Sequence, residues 1–163
     1  MQIDGGYDLT AQNYTAQVKA VTFPIAEFLP GDEFGMLSAD LRCNGSRFDL
    51  YTPQTSANID LNVSRFDFRN VPYRIALQGN YTRQQLNARI ASEMEALNCR
   101  MGITATIAKE RYSGQIDSHI AHADLHALRL LSDSLTMSGE VSLNADFGTD
   151  EIRFRTNDEI RNL

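Results

Sequence analysis

The sequence predicts an all-β fold, a twisted antiparallel meander with few short helices. Three observations carry this prediction. Apolar and polar residues alternate with period two along most of the chain. Seven to ten such runs follow one another with turn residues between them. The long helical connections that parallel strands require have little sequence signal.

Taken in order, the runs begin with Leu37, Ala39, Leu41 and Cys43, which alternate with Ser38, Asp40, Arg42 and Asn44. Next come Ala57, Ile59, Leu61 and Val63, alternating with Asn58, Asp60, Asn62 and Ser64. The phase flips near Arg65-Phe66, which suits a bulge or a turn. Val71, Tyr73, Ile75 and Leu77 form a third run, and Leu97, Cys99, Met101, Ile103, Ala105 and Ile107 another. The clearest run is Leu135, Met137, Gly139, Val141, Leu143, Ala145 and Phe147. Successive side chains of a strand point to opposite faces, so each run has an apolar face and a wet one. Turn chemistry is read at Asn44-Gly45, Pro53, Asn70, Gly79-Asn80, Ser113-Gly114 and Ser138-Gly139.

The stretch 82–97 admits two readings. Thr82-Arg-Gln-Gln85 has the form of a capping box, with Leu86, Ile90, Met94 and Leu97 at helical spacing behind it. Leu86, Ala88 and Ile90 also alternate with Asn87 and Arg89, and strands flank the segment on both sides, which favours strand. Residues 148–163 lose the alternation, become charged and are expected to fray.

Composition excludes several classes. The 22% charged and 42% hydrophobic residues are ordinary for a globular chain. A net charge of −6 argues against nucleic acid as a partner, since phosphates require a basic face. No apolar run approaches the ~20 residues of a membrane helix. The opening Met1-Gln-Ile-Asp-Gly-Gly lacks the basic and apolar regions of a signal peptide. Residues 1–163 read as a single β-rich segment of a longer repetitive protein. Cys43 and Cys99 lie in phase with apolar neighbours and read as small buried hydrophobes, although a single disulfide between them is open to the sequence.

No nucleophile elbow, phosphate-binding loop, zincin helix or paired CxxC occurs, so neither an enzyme nor a cofactor is expected. The one polar constellation is His119, His122, Asp124 and His126. On a strand, His122, Asp124 and His126 would share a face and are the weak candidate metal ligands. From 122 to 126 the span is ~13 Å, too long for one ion on a straight strand. The reading preferred is that they are wet-face residues opposite Ala121, Ala123, Leu125 and Ala127, with no metal.

Two runs carry a family resemblance. Phe23-Pro-Ile-Ala-Glu-Phe-Leu-Pro30 leads into Phe34-Gly-Met-Leu-Ser-Ala-Asp-Leu-Arg-Cys-Asn-Gly45. Ile120-Ala-His-Ala-Asp-Leu-His-Ala-Leu-Arg-Leu130 leads into Leu135-Thr-Met-Ser-Gly139. In pattern, over most of residues 5–147, they resemble the periplasmic β-rich segment of AsmA-like and TamB proteins, in forms of the Bacteroidetes type. No single invariant motif carries the likeness. The resemblance implies a U-shaped, taco-like groove or half-open barrel, in the periplasm, in a protein anchored to the inner membrane by a segment not in this chain. It implies phospholipid acyl chains as cargo between inner and outer membranes, and outer-membrane assembly proteins as partners.

On this expectation the groove is lined by Leu37, Leu41, Ile59, Leu61, Val63, Ile75, Leu77, Met101, Ile103, Ile107, Met137, Val141 and Leu143. A sheet with one apolar face must cover it, and each methylene removed from water contributes about 0.8 kcal/mol. Exposed strand edges at both ends imply edge-to-edge self-association of the segment. Two other readings stand beside this one: a small outer-membrane β-barrel, whose strands alternate in the same way, and a structural or adhesive β-sandwich without lipid.

Overall fold

Ten antiparallel strands form one sheet in sequence order, each bonded to its chain neighbour. The computed structural model describes residues 1–29, 31–109, 111–147 and 152–162. The strands are β1 (Gln2–Asp8), β2 (Asn13–Pro24), β3 (Phe34–Ser46), β4 (Ser56–Phe68), β5 (Val71–Thr82), β6 (Gln85–Glu93), β7 (Leu97–Ala108), β8 (Arg111–Asp124), β9 (Thr136–Phe147) and β10 (Ile152–Asn162). One short 3₁₀ turn, Ile25–Glu27, is the helical content of the described residues. β1 and β10 do not pair, so the sheet is open rather than closed into a barrel.

Register aligns the alternating runs into lines across the sheet. One line runs Val18, Leu41, Leu61, Leu77, Ile90, Met101 from β2 to β7. A second, two residues along, runs Cys43, Ile59, Gly79, Ala88, Ile103, Ile116, Leu143 from β3 to β9. The residues between these lines face the other way, and there polar side chains line up instead. Asn44, Asn58, Asn80 and Asn87 stand opposite one another on β3 to β6. Their carboxamides form a ladder: Asn58 Nδ2 donates to Asn44 Oδ1 at 2.9 Å, and Asn80 Nδ2 to Asn58 Oδ1 at 2.7 Å.

The expected phase flip near Arg65-Phe66 is a bulge, with β4 one residue longer between Val63 and Phe66 than its neighbours on either side. It belongs to a line. β2 carries an extra residue between Ala20 and Phe23, and β8 one between Ile120 and Ala123. β6 ends at the same level, where Met94 and Leu97 exchange backbone hydrogen bonds. A bulge bends its strand and tightens the local twist. β2, β4 and β8 therefore turn along one transverse crease, while β3, β5, β7, β9 and β10 pass it without an added residue at that level.

Of the two readings of 82–97, the favoured one holds: β6 is strand over Gln85–Glu93, and Arg83 and Gln84, both at positive φ, are the two-residue turn into it. Other expectations need correction. The stretch expected to fray is strand over Ile152–Asn162, because β9 offers a full edge for pairing; residues 148–151 and 163 lie outside the described residues. Of the turns expected, Asn70 and Pro53 fall between strands. Asn44-Gly45, Gly79-Asn80, Ser113-Gly114 and Ser138-Gly139 lie inside β3, β5, β8 and β9. Two of these glycines serve close packing: a Cβ at Gly45 would overlap the Ser56 carbonyl oxygen and the Tyr14 hydroxyl, and one at Gly139 the Glu159 carbonyl oxygen.

Candidate binding face

All thirteen residues expected to line a groove share the apolar face. Leu41, Leu61, Leu77, Met101 and Val141 belong to the first register line and its extension, and Ile59, Ile103 and Leu143 to the second. Val63 faces Ile75 above the crease, Leu37 faces Phe66 below it, Met137 faces Ala123, and Ile107 faces Tyr112. Twelve of the thirteen are half-buried and Ile59 is 39% exposed. Their alternating partners Asp60, Asn62, Arg74, Gln78, Thr104 and Asn144 are exposed, and Ser142 is half-buried. The sequence reading omitted Ile90, Ile116 and Ile120, although the same alternation marks them.

The large buried side chains, Val71, Tyr81, Met94 and Leu128, are found toward the two ends of the strands, where loops fold over the apolar face. At one end the 47–55 loop, between β3 and β4, crosses much of the sheet. Phe48 stacks on Tyr14 of β2, with ring centroids 4.7 Å apart, and on Tyr7 of β1 at 5.7 Å. Tyr81 of β5 is buried and donates its hydroxyl hydrogen bond to the Leu50 carbonyl. The hydroxyls of Tyr51 and Tyr112 on β8 are 2.7 Å apart. Asp49 tightens the loop from within, accepting from Thr52 Oγ1 at 2.7 Å and from the Tyr51 amide at 3.0 Å, and these bonds hold its carboxyl below the usual range.

The other end is closed by the 125–135 segment. Leu128 is 1% exposed and packs against Val71 and Met94, flanked by Tyr73, Ala96, Leu97 and Leu125. Tyr73 donates to the Leu128 carbonyl at 2.9 Å, and Arg69 Nη1 to the Arg129 carbonyl at 3.3 Å. Beside this cap Phe34, Phe66, Phe68 and Tyr73 form a chain of rings with centroids 5.5–6.4 Å apart. Between the two caps the aliphatic lines of the middle of the sheet have no element laid over them among the described residues.

The larger depressions lie on the polar face. One, of about 740 Å³, lies over β5 to β10 among Gln78, Arg89, Arg100, Asp117, His119 and Glu140. Its floor is low because Ala76, Ala91 and Gly102 are small. It is wide open and mixed in charge, with His119 Nδ1 3.3 Å from Glu140 Oε1.

The candidate metal residues have other duties. Asp124 Oδ1 accepts from the backbone amides of His126 and Ala127 at 3.0 and 2.9 Å, capping the turn after β8. His126 Nδ1 is 2.9 Å from the Ser132 carbonyl oxygen. His122 stays on β8, at the bulge. No group of three His, Cys, Asp or Glu side chains able to hold an ion occurs among the described residues. Cys43 and Cys99 are unbonded and half-buried, on β3 and β7, separated by four strand spacings (~19 Å) across the sheet and by four residues in register. Comparison with protein families, with curated proteins and with solved structures finds no match to this chain.

Proposed function

We propose that the chain binds the acyl chains of phospholipid on the apolar face between its two loop caps, without catalysis, as a segment of an AsmA/TamB-like protein of the cell envelope. In that role it supports phospholipid movement between inner and outer membranes, and with it outer-membrane assembly, from the periplasm. The carrying observation is that ten strands put aliphatic side chains on one face and leave the middle of that face half-exposed. A sheet built only to be stable buries such a face against a second layer. An acyl chain is a suitable second layer, because apolar burial demands no precise polar partners. The register lines run across the strands, so bound chains lie crosswise, from β2 toward β9, with the open edges as the two ends of the path.

The test is photocrosslinking from probes at Leu61, Leu77, Ile103 and Leu143, with Asn62 and Asn144 as controls on the opposite face. Lipid adducts are expected from the first set alone. Equal labelling from both sets in the folded protein overturns the proposal.

A further inference from the structure

We propose that the β1 edge is a self-pairing surface, and that two copies of this chain join there as antiparallel strands about a two-fold axis into one twenty-stranded sheet. This stands on the edge itself and does not depend on the lipid reading. β1 is hydrogen-bonded on one side only, to β2, and all seven of its residues are exposed. Ile3 is 66% and Tyr7 46% exposed, and both lie on the apolar face with Gly5 between them.

Edges that resist pairing carry charge, proline or a bulge, above all a charged side chain aimed at the apolar side. β10 is such an edge. It holds Arg153, Arg155, Asp158, Glu159 and Arg161, and Asp158 stands opposite Val141 on the apolar face. β1 lacks proline, a bulge and any charge on the apolar side. It contains no Lys, Arg or Pro, its pairing with β2 is regular throughout, and its two charges, Asp4 and Asp8, are on the polar face.

The strand is also complementary to itself. With Gly5 facing Gly5 of a second copy, Ile3 faces Tyr7 and Gln2 faces Asp8, while Asp4 faces Gly6. No like charges meet directly. An aliphatic–aromatic pair forms twice on the apolar side, the kind of cross-strand contact that stabilises sheets. Opposed residues have the same parity, so the amides and carbonyls directed outward on one strand meet those of the other. The two apolar faces then run on without a step, and a two-fold dimer is the commonest closed assembly.

Opposed residues of an antiparallel pair have Cα atoms about 4.5–5.5 Å apart, within disulfide reach. In a chain with Cys43 and Cys99 replaced by alanine, Ile3→Cys and Tyr7→Cys are prepared separately. Oxidation of the mixture is expected to give a covalent dimer, and each variant alone is expected to give none. In the unmodified chain, sedimentation is expected to show a dimer, and Ile3→Lys to weaken it by at least about tenfold by placing charge on the edge. Ile3 is exposed, so that substitution leaves the fold intact, which circular dichroism checks. A monomer at every concentration overturns the proposal, as do crosslinks formed by either cysteine variant alone, or a dimer indifferent to Ile3→Lys.

Discussion

Leu128 shows how unevenly this sheet is held together. It is enclosed on a loop, while leucines in mid-strand such as Leu61 and Leu77 are only half-buried. Its place depends on Val71 and Met94 beneath it and on the Tyr73 hydroxyl that fixes its carbonyl. Leu128→Ala leaves a cavity there and is expected to cost about 3 kcal/mol, read as a lower urea midpoint. A loss under about 1 kcal/mol would mean that the loop collapses into the space. Sequence periodicity could not single out this residue. Ala127, Leu128, Leu130 and Leu131 follow a strand without its alternation, and apart from Leu125 the apolar surface of the Leu128 cluster comes from residues more than thirty positions earlier in the chain.

At the scale of elements, the 47–55 loop is held by phenols, and this makes it sensitive to alkali. Burial raises the Tyr81 and Tyr14 ionisations, and the hydrogen bond with Tyr51 raises that of Tyr112. The folded chain keeps these protons more tightly than the unfolded one. Their contribution is therefore complete below the ordinary tyrosine value of about 10 and is lost as pH rises through the folded values. The loop is expected to detach in that range, with tyrosinate absorption and proteolysis after Arg47 rising together. Tyr51→Phe, which keeps the ring but removes the bond to Tyr112, should raise cleavage after Arg47 at neutral pH. Unchanged cleavage would remove that bond from the account.

The strands themselves were legible because alternation is a direct imprint of the pleat. Leu135 to Phe147 and Ile59 to Val63 keep the predicted phase throughout. Turns were less legible. Glycine was read as punctuation at Gly45, Gly79, Gly114 and Gly139, yet each of these lies inside a strand. Two of the real turns, Arg69-Asn70 and Arg83-Gln84, use residues at positive φ without any glycine. Long-range packing decides both cases: a strand can need a missing side chain as much as a turn can, and a hairpin well paired on both arms tolerates a strained turn of about 1–2 kcal/mol per residue. The loop caps were illegible for a related reason, since Phe48 and Tyr51 find their partners on β1, β2 and β8.

For the whole molecule, strand length changes the geometry expected from the sequence. The alternating runs at 37–43, 57–63 and 71–77 cover seven residues each, whereas β2 to β5 and β7 to β9 have 12 to 14. Such strands span about 40 Å, and the crease divides them into a longer aliphatic panel and a shorter aromatic one. The aromatic panel carries Phe34, Phe66, Phe68 and Tyr73 and the Leu128 cap. The aliphatic panel carries the open register lines.

The crease also sets where the gene can change length. Within a regular strand, losing one codon turns every later side chain to the wrong side of the sheet. At the crease the reverse holds. Ala20 and Phe23, Val63 and Phe66, and Ile120 and Ala123 are each three residues apart while their neighbours across the ladder are two apart. Deleting Thr22, Ser64 or Ala121 restores equal spacing and leaves both panels in phase. A scan of single-residue deletions, read by soluble yield and denaturation midpoint, is expected to find these positions tolerant and Asp60, Gln78 and Asn144 intolerant. Equal damage at both sets would mean that the added residues are indispensable to the bend. If they are tolerated, related chains can gain or lose a residue along this one line, and the angle between the panels can drift in evolution while the side chains on each face stay where they are.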